Sequence, residues 1–149
     1  MPRYVTVVHT AWRAEEAFGF MADVCNFERW DPGVHSVTAV HGDGPGPGSA
    51  YDVEVRAGPV PLVVRYQVVE WDAPRRLLLV ARTRTLRSVD EIRVDPAGER
   101  AVVTYDAWLG MRGVLRVADP LLALAFRRIG DRAAAGLRRA LGGEPAGTS

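Results

Sequence analysis

Apolar and polar positions along the chain change period in a set order, and that order predicts the fold. Tyr4 to Thr10 alternates as a strand does. From Ala14 the period becomes helical: Ala14, Ala17, Phe18, Met21, Ala22 and Cys25 recur on one side, with Glu15 and Glu16 in the electropositive first turn. A second, short helix is expected next, with Asn26 as its N-cap and Asp31-Pro32-Gly33 as its stop. Alternation then returns and persists. Strands are predicted at Val34 to His41, Ser49 to Arg56, Leu62 to Trp71, Arg76 to Thr83, Thr85 to Val94 and Arg100 to Leu109. Turns separate them at Gly42 to Gly48, Ala57 to Pro61, Asp72-Ala73-Pro74 and Asp95 to Gly98. After a break at Gly110 to Gly113, a last helix is predicted over Ala118 to Leu141. It places Leu122, Ala125, Phe126, Ile129, Ala133, Leu137 and Ala140 on one side and Arg127, Arg128, Asp131, Arg132, Arg138 and Arg139 on the other.

One strand, two helices, six strands and a helix imply an α+β fold with a curved antiparallel sheet. Such a sheet cannot bury its concave face alone, and the C-terminal helix is the one later element able to close it. The length suits one domain, expected over residues 1–141, with 142–149 (GGEPAGTS) a tail without apolar period that is expected to be disordered.

Composition narrows the function. Formal net charge is +1 and no basic stripe carries interleaved aromatics, so nucleic acid is not an expected partner. The longest apolar run, Pro120 to Phe126, is too short to span a membrane. The first residues alternate rather than forming the apolar block of a secretion signal, which makes a cytoplasmic location the default. A lone Cys25 permits no internal disulfide and, with no activating neighbour in sequence, reads as a small hydrophobe. All 19 Lys+Arg residues are arginine, a bias expected of a GC-rich bacterial genome. The absence of lysine excludes Schiff-base chemistry, and arginine stays charged throughout, so no basic side chain here serves as a tuned general base. His9, His35 and His41 lack metal-ligand spacing, so no metal site and no cofactor are expected. The glycine turn at Gly42 to Gly48 precedes a strand rather than a helix and is not a nucleotide fingerprint.

Several segments together resemble the START-like, or SRPBCC, superfamily and within it the polyketide cyclase/dehydrase group. They are MADVCNFERWDPGV with Asp23, Asn26 and Trp30, then Gly48-Ser49-Ala50-Tyr51, VVEWDAPRRL, IRVDPAGERAVVTY and the ending PLLALAFRRIGDRAAAGLRRAL. The resemblance covers nearly the whole chain. It implies a helix-grip fold: a strongly bent seven-stranded antiparallel sheet wrapped around a long C-terminal helix, with an apolar cavity between them. It also implies a hydrophobic, polyketide-like or polycyclic ligand, and in some members cyclisation, aromatisation or dehydration, a lyase-type role in secondary metabolism. The competing implication is a non-catalytic carrier of a lipid, quinone or metabolite, or a sequestering resistance protein.

Strand alternation nominates the cavity's contents. If Ile92 and Val94 face inward, so do Leu86, Ser88 and Asp90; likewise Val103 brings Ala101, Tyr105, Ala107 and Leu109. Tyr51, Val53 and Val55 share one face of the third strand, and Leu62, Val64, Tyr66 and Val68 one face of the fourth. Asp90 is the candidate acid or base, because a carboxylate in an apolar cup acquires a raised pKa. The structural alternatives are an ion pair with a rim arginine such as Arg82 or Arg56, or a shift in the strand's register. Tyr105 and Tyr51 are the candidate enolate-stabilising hydroxyls. Tyr66, Ser88, Val53, Val103, Trp30, Phe27, Leu122, Phe126 and Ile129 are candidate ligand contacts. Asp23 and Asn26 read as turn-forming residues. Gly110 to Gly113 with Val114, Leu115 and Val117 form either a mobile apolar gate or a plain connector. An exposed edge strand leaves room for a homodimer.

Overall fold

The computed structural model describes residues 2–42, 44–56, 61–112 and 119–143, with the side chains of 119–122 outside that description. Seven strands, β1 (Arg3–Thr10), β2 (Val34–His41), β3 (Ala50–Val55), β4 (Leu62–Asp72), β5 (Arg76–Arg82), β6 (Leu86–Ala97) and β7 (Arg100–Met111), form one sheet in the order β1-β7-β6-β5-β4-β3-β2. Every neighbouring pair is antiparallel. β1 and β2 lie at opposite edges, so the connection between them must cross the sheet. It does so through α1 (Ala14–Ala22), a 3-10 turn (Val24–Asn26) and α2 (Phe27–Trp30). The last helix, α3 (Asp119–Gly142), lies against β1, β7 and α2.

The alternation read from the sequence maps onto burial. Tyr51, Val53, Val64, Val68, Leu77, Leu79, Ile92, Val94, Ala101 and Val103 are buried on the concave face, where Ala17, Phe18 and Met21 of α1 cover one end. Register shifts at Val34/Ser36 and Ala39/His41 in β2 and at Val68/Glu70 in β4 are bulges, which bend a strand and increase its twist. The sheet therefore curves where β2, β3 and β4 close one side of the bowl. Cross-strand ion pairs such as Arg3–Asp106 (2.6 Å), Arg65–Asp52 (2.8 Å) and Arg76–Glu91 (2.9 Å) link neighbouring strands.

Several local expectations are corrected. Asn26 does not cap α2 with its side chain; its Nδ2 donates to the Phe20 carbonyl (3.0 Å). Asp23 is the capping residue, accepting from Cys25 N at 3.1 Å over the 3-10 turn. β6 and β7 run further than predicted, through Pro96-Ala97 and through Gly110-Met111. Pro96 is tolerated because β5 stops pairing at Arg93, so it sits on an overhang where no bond to β5 is lost. The reversal is then made by Gly98-Glu99, with Gly98 at φ 67°. Gly110 and Met111 pair with Arg87 and Leu86 rather than forming a gate; residues 113–118, with Val114, Leu115 and Val117, lie outside the described residues, as does the tail from 144.

α3 approaches the sheet more closely than its large apolar residues suggest. Its most enclosed positions are Gly130, Ala134, Gly136, Leu137 and Leu141, whereas Ala125 is exposed. A Cβ at Gly130 would run into the Tyr4 ring, and one at Gly136 into the main-chain carbonyl of Trp30. The C-terminal end of α3 is pinned by two side chains. Thr10 Oγ1 donates to the Leu141 carbonyl and Trp12 Nε1 to the Gly143 carbonyl, both at 2.6 Å, satisfying groups that a helix end leaves open. Among the described residues no helix is long and apolar enough to cross a membrane.

These glycines give a prediction of sign. Replacing a helical glycine by alanine ordinarily stabilises by up to about 1 kcal/mol. Gly19→Ala in α1, where nothing lies within 4 Å of the new Cβ, should do so. Gly136→Ala should instead destabilise, because α3 must move off α2. Urea denaturation of both variants checks this; equal stabilisation by the two would contradict the seating of α3.

Candidate ligand cavity

Between α3, α2 and the concave face of the sheet, with walls from β1, β7, β6, β4 and β3, lies a cavity of about 200 Å³. Its walls are mostly apolar, with Val55, Leu62, Val64, Leu86, Ala107 and Leu109 from the strands. α3 closes it with Phe126, Ile129, Ala133 and Leu137. Arg56 stands at the lining's exposed margin and is held by a 2.6 Å hydrogen bond to His35 Nδ1.

The polar residues of the lining concentrate on a few strands. Asp90, on β6, is 6% exposed; its carboxylate accepts from the Tyr105 hydroxyl at one oxygen and from Ser88 Oγ (3.1 Å) at the other. Ser88 in turn accepts from the Tyr66 hydroxyl at 3.2 Å. Register explains this chain. Tyr105 sits diagonally from Asp90, whose direct partner is Ala107. Tyr66 lies opposite Ala81, and Ala81 opposite Ser88, so the tyrosine reaches across a small residue to the serine. No ion pair engages Asp90 among the described residues, so the pairing with Arg82 or Arg56 is not formed.

Burial without a cation disfavours the charged form of Asp90 and pushes its pKa up to about 6; the Tyr105 and Ser88 hydrogen bonds oppose the rise and the charge of Asp31 adds to it. Asp31 is the second carboxylate of the cavity lining. Its pKa is likewise raised by burial, against the 2.8 Å hydrogen bond it accepts from Gly33 N. The Tyr105 phenol is held well above its ordinary range by burial and then by the Asp90 charge, so it remains a donor. Tyr66 is raised for the same two reasons.

The structure therefore brings Asp90, Tyr105, Ser88, Tyr66, Trp30, Phe126 and Ile129 to one cavity, although Ile129 remains 40% exposed. Four other nominees are placed elsewhere. Tyr51 (2% exposed), Val53 and Val103 face inward as expected but lie in the solid core rather than on the cavity wall. Phe27 stands behind the wall, packed on Trp30 and Tyr105 at ring-centre distances of 4.9 and 6.1 Å. For the three strand residues the physical reason is that alternation assigns a face but not a depth, and they join the packed core cluster. The side chain of Leu122 lies outside the described residues. Sequence reasoning missed Asp31, taken as a helix stop, together with Tyr4 and Thr6 of β1. The adjacency of Asp31 to Trp30 was the available signal. Burial also holds the Cys25 thiol above its ordinary range, reinforced by Asp23.

A curved sheet gripping a C-terminal helix over an apolar cavity defines a START-like helix-grip protein. Within that class, the chain belongs to the polyketide cyclase/dehydrase and lipid transport family, which it matches over residues 1–142. No curated protein matches it. Among solved structures it is similar to a protein of Thermus thermophilus, with a TM-score of 0.76, 14% identity, and coverage of 94% of this chain and 97% of the other. It is similar to a START superfamily protein of Mycobacterium smegmatis, with a TM-score of 0.74, 14% identity, and coverage of 93% and 96%. A Streptomyces aromatase/cyclase gives a TM-score of 0.70, 14% identity, and coverage of 93% and 90%. At such identities the likeness establishes the fold alone.

The raised pKa of Asp90 has a stability consequence with a definite sign. The folded value, about 6, lies above the ordinary 3.8, so the contribution is fully present below 3.8 and is lost as pH rises through 6. At neutral pH the ionised group then opposes folding by roughly 2–3 kcal/mol. Asp90→Asn should match or exceed wild-type stability at pH 7.5 and lose that advantage near pH 4. Thermal melts at the two pH values check it; a variant markedly less stable at pH 7.5 would point to a compensating cation.

Proposed function

We propose that this protein binds a hydrophobic, ring-containing, polyketide-like molecule in the cavity and catalyses its cyclisation, aromatisation or dehydration without a cofactor. The observation that carries the reading is Asp90: a carboxylate inside an apolar cavity, held by hydroxyl donors and ion-paired with no arginine among the described residues. The family supports the ligand class, since its description names polyketide cyclase, dehydrase and lipid transport.

The chemistry follows from one proton-exchanging group. Asp90 removes a proton from carbon next to a carbonyl; once protonated it no longer holds the Tyr105 hydrogen as a charged acceptor, and the Tyr105 hydroxyl turns to donate to the resulting enolate. In cyclisation the new C–C bond forms as the enolate attacks a second carbonyl, and the proton on Asp90 passes to the resulting alkoxide. In dehydration the same proton passes to a departing hydroxyl: the C–O bond breaks, C=C forms and water leaves. Both routes return Asp90 to its carboxylate. The apolar walls contribute by holding the chain folded with its reacting carbons together. A carrier would use the same walls and leave Asp90 chemically idle, which separates the two readings.

Thermal-shift screening should show stabilisation by polycyclic phenols and none by nucleoside phosphates, because only a ligand of the folded state raises the melting point. On a compound that is turned over, kcat/KM should rise with pH through about 6 as Asp90 ionises. Asp90→Asn should still bind the compound within the apolar walls and lose on the order of a hundredfold or more in turnover at saturation. Turnover that survives this substitution would remove Asp90 from the chemistry, and stabilisation by nucleotides alone would remove the ligand class.

A further inference from the structure

The hydroxyl hydrogens around Asp90 all run one way. Tyr66 donates to Ser88, Ser88 to Asp90, and Tyr105 to Asp90, so the chain ends on the carboxylate. Each of these three hydroxyls has its single hydrogen engaged, and what the group still offers the cavity is acceptor lone pairs. Asp31 adds to the same character: one oxygen takes the Gly33 N–H, and the other has no protein donor among the described residues. Tyr4, also on the lining, gives its hydroxyl hydrogen to Asp131 outside it. Among the described residues, the lining's remaining donors are Thr6, whose hydroxyl is free to act either way, and the buried Trp30 Nε1–H, a single neutral donor without a partner; Arg56, the one basic residue of the described lining, is exposed and engaged with His35.

We propose, building on the cavity reading above, that the site selects ligands by a hydrogen-bond donor on an apolar ring body, presented to Asp31 and Asp90, and rejects ligands bearing a carboxylate. The physical ground is satisfaction and charge. A buried carboxylate strengthens any donor brought to it, because hydrogen bonds to a charged acceptor are about twice as strong as neutral ones. An incoming anion would meet two like charges in an apolar setting and find the Tyr66, Ser88 and Tyr105 hydrogens already taken, with only neutral donors at Thr6 and Trp30 to set against the repulsion. A donor-free hydrocarbon would fill the walls and leave both carboxylates without new partners. A phenol hydroxyl and a protonated amine share the selected chemistry; a fatty acid carries the rejected one.

Three probes of one ring skeleton test this at pH 7.5: 2-naphthol (neutral donor), 2-methylnaphthalene (no donor) and 2-naphthoate (anion). Equilibrium dialysis against the full chain should rank 2-naphthol at least tenfold tighter than 2-methylnaphthalene, with 2-naphthoate weakest. In Asp31→Asn and Asp90→Asn, singly and combined, the preference for 2-naphthol over 2-methylnaphthalene should shrink and 2-naphthoate should gain at least tenfold. Wild-type ranking alone decides the matter if a variant does not fold. Equal binding of all three, or 2-naphthoate the tightest, would overturn the donor selection and leave the cavity reading intact. No saturable binding of any of them would overturn both.

Discussion

A bent sheet has a concave face too large to leave wet, and everything else in this molecule depends on how α3 covers it. The helix is not held by a row of large side chains alone. It is seated at two glycines, Gly130 over the Tyr4 ring and Gly136 on the Trp30 carbonyl, and locked at its C-terminal end by Thr10 and Trp12. Those contacts fix the distance from helix to sheet. They leave a filled core, which includes Tyr51, Val53 and Val103, and an open cavity under α3.

Within that cavity the sheet's register creates an electrostatic problem rather than a solution. Asp90 sits among apolar neighbours, compensated by hydroxyl hydrogen bonds and by no cation among the described residues. Such a group lowers stability at neutral pH, and a protein selected only for folding would replace it. A destabilising polar group placed where a ligand would sit is the kind of local conflict that functional sites display. The second carboxylate, Asp31, comes from an unrelated part of the chain and faces the same space, which makes a purely accidental burial of Asp90 harder to sustain.

The architecture was legible because period carries it: the switch from two to 3.6 and back places seven strands and the flanking helices without knowledge of any contact. The facing of Leu86, Ser88, Asp90, Ile92 and Val94 followed from alternation alone. Depth did not, and so Tyr51, Val53 and Val103 were assigned to a cavity when they belong to the core. Close approach did not either. Gly130, Ala134 and Gly136 form the tightest stretch of α3, yet a hydrophobicity reading ranks them below Ala125, which is exposed, and Ile129, which stays half in solvent. Asp31 was hidden for a different reason. In sequence it forms a helix stop with Pro32 and Gly33, and only the tertiary placement of Trp30 turns it toward the cavity.

Asp90 is a buried carboxylate without a compensating cation among the described residues, and its own titration is the decisive measurement. Carbon-detected NMR of the aspartate side-chain carboxyls, assigned by comparison with Asp90→Asn, reports it residue by residue. The Asp90 signal should titrate near 6, well above the ordinary carboxylate range. An Asp90 signal titrating at or below 4 would reveal a compensating charge or open solvent and would contradict it.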